Sequence, residues 1–70
     1  MKEPNYGFIE FGIVDTGSGN VESGYLHAMS IVVILPASRN RSTLGLANGL
    51  QVIVNDKPSK VMQMIKDSYE

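Results

Sequence analysis

The chain contains no cysteine and no tryptophan, and one histidine among its 70 residues. Without cysteine no disulfide can staple the fold, and a lone histidine leaves no structural zinc site within one chain. A core this small supplies only about 3–5 kcal/mol by itself, so a partner subunit is the support that remains. Oligomerisation is therefore expected. Charge is scarce too. A net charge of −1 provides no field for gathering nucleic acid or an anionic membrane surface. The longest unbroken apolar run, Ile31 to Leu35, is far too short for a membrane span. The opening residues MKEPNYG lack the apolar stretch of a signal peptide, so a cytoplasmic location is expected.

What is present reads as a folded α+β chain, since 43% of residues are apolar. Residues 8–14, FIEFGIV, set Ile9, Phe11 and Ile13 on one side of a strand. The following DTGSGNVESG has loop composition. Residues 25–35, YLHAMSIVVIL, read as one long strand, bent or bulged near Ala28–Ser30, buried on both faces at its end and stopped by Pro36. Asn48-Gly49 between residues 42–47 and 50–54 matches a two-residue type I′ hairpin, in which both central residues need positive φ. That turn pairs Leu44 with Ile53 and Gly45 with Val52. One face then carries Leu44, Leu46, Gln51 and Ile53, and the other Leu50, Val52 and Val54 over Gly45 and Ala47. Residues 58–68 read as a helix with Pro58 in its first turn and oxygens of Asn55 and Asp56 near its free N–H groups. Its apolar stripe is Val61, Met62, Ile65 and Tyr69. The expectation is a single small domain, an antiparallel sheet of about four strands with one C-terminal helix. One short helix can cover only one sheet face, which leaves the other for a second subunit.

Three motifs bear on chemistry. Asp15-Thr16-Gly17-Ser18 after an apolar strand is how dimeric retropepsin-like proteases present a catalytic carboxylate. That activity needs two such carboxylates sharing a proton, flap strands, and an apolar-Gly segment leading into a helix. Here Leu44-Gly45-Leu46 leads into a hairpin, so Asp15 is read as a turn residue and no catalytic residue is assigned. Arg39, Asn40 and Arg41 could contact phosphate in shape, but two arginines in a net-acidic chain are read first as a solvated loop. A β-rich oligomer binding RNA or a nucleotide through loops 15–24 and 36–42 is accordingly an alternative. His27 has no acid, thiol or second histidine near it in sequence and is read as a half-buried structural side chain. The candidate interaction surface is Arg39, Asn40, Arg41, Leu50, Val52 and Val54; no metal or other cofactor is expected.

Tyr25-Leu26-His27-Ala28 with Ile31, Ile34 and Pro36 is followed by Thr43-Leu44-Gly45-Leu46-Ala47-Asn48-Gly49 with Val54, then by Val61 and Ile65. Over residues 25–66 this order of features resembles the small FlbD-like proteins, the flagellar and swarming-motility family that includes SwrD. The resemblance implies a strand, hairpin and helix in that order, and a bacterial or phage-borne accessory protein without catalysis or cofactor. Such a protein would act as a homo-oligomer that binds another protein.

Overall fold

The apolar alternation of residues 8–14 becomes strand β1 (Phe8–Val14) in the computed structural model, which describes residues 6–69. Residues 1–5, where no signal-peptide pattern is read, and residue 70 lie outside the described residues. The chain continues through β2 (Val21–His27), β3 (Ile31–Ala37), β4 (Arg41–Leu46), β5 (Gln51–Val54) and helix α1 (Pro58–Ser68). The strands form one antiparallel sheet in the order β2-β1-β5-β4-β3, covered by the C-terminal helix. The architecture is α+β, with five strands rather than about four.

The additional strand comes from the segment expected to be a single long one. Ala28–Ser30 form a 3-10 turn in place of a bend, and the chain on its two sides belongs to opposite edges of the sheet. His27 caps this turn, its Nδ1 accepting the Met29 N–H at 3.1 Å. The second half is not buried on both faces, because β3 is an edge strand with Val32, Val33 and Leu35 exposed. Nor does Pro36 end it. The strand runs to Ala37, since an edge strand needs no donor on its outer side. The loop expected over 15–24 closes at Asn20, and Val21–Gly24 pair with β1.

The β4–β5 hairpin differs by one residue from the expected register, and the difference reverses every side chain. Leu46 donates its N–H to the Leu50 carbonyl at 2.8 Å, and Gly49 donates to the Leu46 carbonyl at 2.9 Å. The loop is thus the three residues Ala47-Asn48-Gly49, of which only Gly49 takes positive φ, at 89°. That is a type I turn followed by a glycine bulge. Asn48 contributes its side-chain oxygen, which accepts the Leu50 N–H at 3.0 Å. Leu44 consequently faces Val52, Ser42 faces Val54 and Thr43 faces Ile53. Leu44, Leu46, Val52 and Val54 share the inner face, while Thr43, Gly45, Gln51 and Ile53 share the outer one.

Ile9, Phe11, Ala28, Leu44, Val54 and Val61 make the buried core, with Leu26, Ile34, Met64 and Ile65 packed around it. The helix buries Val61, Met64 and Ile65; Met62 and Tyr69, expected on that stripe, are exposed. Spacing of three and four residues permits either methionine beside Val61 and Ile65, and the helix turns Met64 to the core. Asn55 and Asp56 do not cap the helix. Lys57 occupies the cap position with no side-chain bond, the Asn55 oxygen accepts from Arg41, and the Asp56 carbonyl accepts from Ser42. The two halves of the sheet meet at a narrow seam, where β1 and β5 pair only through Ile13–Val54 and Val14–Ile53. One further bond, from the Asn55 N–H to the Gly12 carbonyl at 2.8 Å, extends it.

Candidate functional site

The outer face is the surface that the helix leaves open. Strand pairing aligns Leu35, Thr43, Ile53, Val14 and Val21 in one row across all five strands. Leu35 is 50% exposed, Val33 46% and Val21 44%. Val33 lies over Gly45, whose absent Cβ would stand 3.1 Å from the Val33 Cβ. Only Glu10 and Arg41 bring full charges to the strand positions of this face, and both are engaged. Glu10 accepts from the Ser23 hydroxyl, and Arg41 Nε donates to Asn55 Oδ1 at 3.2 Å. Farther along the face Phe8 meets His27 edge-on, with ring centroids 5.0 Å apart. His27 is half-buried between this contact and the turn it caps.

The two polar loops converge at one end of this face. Asp15, Thr16 and Gly19 from the first and Ser38 and Arg41 from the second line a depression of about 230 Å³. Asp15 is committed to its own turn. Its Oδ1 accepts the Gly17 N–H at 3.0 Å and its Oδ2 the Ser18 hydroxyl at 2.8 Å. The Gly17 N–H, followed by the Ser18 hydroxyl, holds this exposed carboxyl below the usual carboxylate range. Both carboxylate oxygens are thus occupied within the turn itself. The same negative charge beside Arg41 leaves the depression without the positive field that phosphate binding draws on.

Of the six surface residues named from sequence, Arg39, Asn40 and Leu50 are exposed, the first two on a turn where both take positive φ (61° and 59°). Arg41 is half-buried against Asn55. Val54 is no surface residue, and Val52 is half-buried against the core. The one-residue change of register turns them inward, and Val54 is wholly buried. The outer-face residues that take their place are Val33, Leu35 and Ile53, together with Val21, which loop composition concealed. No family model, curated protein or solved structure matches the chain.

Proposed function

We propose that this protein is a small non-enzymatic interaction module that acts as a homo-oligomer and binds another protein. The observation that carries the reading is the open outer face, on which Leu35, Val33 and Val21 are exposed and Ile53 half-exposed, beside a buried Val14 and with few charges around them. Exposed apolar surface costs roughly 25 cal/mol per Å², and there is no second α-helix among the described residues and no cysteine for a disulfide to compensate. The resemblance of residues 25–66 to FlbD-like accessory proteins supports the same reading. The engagement of Asp15 with Gly17 and Ser18 supports a structural role for that carboxylate over a proteolytic one.

Sedimentation at several micromolar concentrations, with melting temperature followed alongside, tests the proposal. The expected result is a dimer or small ring whose melting temperature rises with protein concentration. A monomer with a concentration-independent melting temperature would overturn it. Replacing Leu35 with Glu is expected to preserve the fold, because the side chain already meets water, and to abolish binding of partner protein at this face.

A further inference from the structure

The two edges of the sheet are not equivalent as templates for another strand. In an antiparallel ladder the N–H and C=O groups of successive residues point alternately to the two sides. The Leu46 N–H bonds to Leu50, the residue before β5, so Leu44 and Ser42 also point toward β5, while Gly45 and Thr43 point toward β3. Their partners Val33 and Leu35 point back, which leaves Ile34 and Pro36 facing outward. Proline has no N–H to offer, and the pairing shifts between Ile31 and Val33. Past that irregularity, only Ile34 presents both groups at the β3 edge. This edge is blunted.

The β2 edge is open. The Asp15 N–H bonds to the Asn20 carbonyl at 2.8 Å and the Ala28 N–H to the Gly7 carbonyl at 2.8 Å. The same alternation directs Glu22, Gly24 and Leu26 toward β1, and Val21, Ser23 and Tyr25 away from it. Three consecutive outward residues therefore present complete donor and acceptor pairs, uninterrupted by proline or bulge. Val21, Glu22, Ser23 and Tyr25 are all exposed.

We propose that β2 pairs antiparallel with β2 of a second copy about a two-fold axis at Ser23, joining the two sheets into one. The proposal rests on the self-association reading above and places the self-contact at the sheet edge, which leaves the outer face for the partner protein. The segment Val21-Glu22-Ser23-Gly24-Tyr25 is complementary to its own reverse. Val21 meets Tyr25 of the second copy on the outer face, a β-branched and aromatic cross-strand pair. Ser23 meets Ser23 at the axis. On the inner face each Glu22 lies opposite Gly24 of the other copy, so no carboxylate opposes a carboxylate. Centring the pair on Glu22 instead would set the two Glu22 side chains directly opposite. A one-residue slip would match outward groups with inward ones. The outer-face row that ends at Val21 then continues into the second copy.

The absence of cysteine makes a single introduced thiol decisive. Two residues facing each other in a hydrogen-bonded antiparallel pair have Cα atoms about 5.5 Å apart. A disulfide spans about 4.4–6.8 Å. Ser23→Cys should therefore form a disulfide dimer under mild oxidation, whereas Gln51→Cys, on the outer face of β5, should not. Ser23→Pro removes an outward N–H without touching the β1–β2 ladder. It should keep the circular dichroism of the parent and raise the dimer dissociation constant about tenfold or more. A dimer that fails to cross-link at position 23 would overturn the edge pairing, as would one that persists unchanged in a folded Ser23→Pro variant. Either result would leave the self-association reading standing. An unmodified chain that is monomeric at every concentration would overturn both.

Discussion

Ser42, wholly buried on β4, donates its hydroxyl to the Asp56 carbonyl at 2.7 Å and so ties the sheet to the turn that starts the helix. Among the described residues it is the single buried polar one beside the apolar core, and its bond holds a segment that no side-chain cap stabilises. Ser42→Ala is expected to cost about 1–2 kcal/mol in urea denaturation, for the lost bond and the unsatisfied carbonyl. A variant as stable as the parent would show that water replaces the hydroxyl at Asp56.

Gly49 closes the β4–β5 hairpin at φ 89° with nothing within 4 Å of the Cβ it lacks. Space is no obstacle, so a substitution there reports backbone strain alone. Gly49→Val is expected to destabilise by about 1–3 kcal/mol, and Gly49→Asn by less, because Asn tolerates positive φ better. Equal losses for the two would place the cost elsewhere.

The two helix methionines separate the observed stripe from its neighbour. Met64 packs against the core, whereas Met62 is 57% exposed. Met64→Ala should lower stability by about 2 kcal/mol. Met62→Ala should change it by no more than about 0.5 kcal/mol. The reverse order in thermal denaturation would rotate the helix.

Asp15 is expected to make the loop's contribution to stability acid-sensitive. Its pKa is lowered in the folded chain, so the carboxylate's bonds to Gly17 and Ser18 stabilise the fold above its unfolded-state pKa. That contribution is lost as pH falls through the lower folded value, at acid pH below about 4. Melting temperature followed from neutral to strongly acid pH should drop less steeply for Asp15→Asn than for the parent. Parallel curves would detach the carboxylate from the loop's stability.

Local chemistry made some of this structure readable in advance. The alternation of Ile9, Phe11 and Ile13 marks β1, and Pro58 followed by Val61 and Ile65 marks the helix, because each pattern has one physical solution. The hairpin shows where such reading fails. Asn48-Gly49 suits a two-residue turn and the end of a three-residue one alike, yet the choice decides whether Val52 and Val54 or Gln51 and Ile53 enter the core. The segment at 25–35 misleads for another reason. Its apolar residues suggest burial, but an edge strand can leave Val32 and Leu35 exposed, and the break at Ala28–Ser30 depends on a cap from His27. The outer face escaped recognition with β2, since Glu22, Ser23 and Gly24 satisfy an edge strand and a loop equally well.

The seam between β1 and β5 divides the molecule energetically. Two residue pairs and one flanking bond connect the β1–β2 hairpin to the other three strands, while each hairpin is laddered along most of its length. The seam also joins the residues farthest apart in sequence of any strand pair, so its formation carries the largest loop-closure entropy in the sheet. Opening there exposes Ile9 and Phe11 while leaving the β3–β5 ladder intact. In native-state hydrogen exchange the amides of β1 and β2 should form one cooperative unit that opens at lower free energy than those of β4. Pairing at the β2 edge would slow exchange first in that unit, so the least stable part of the subunit is the part that assembly would stabilise most.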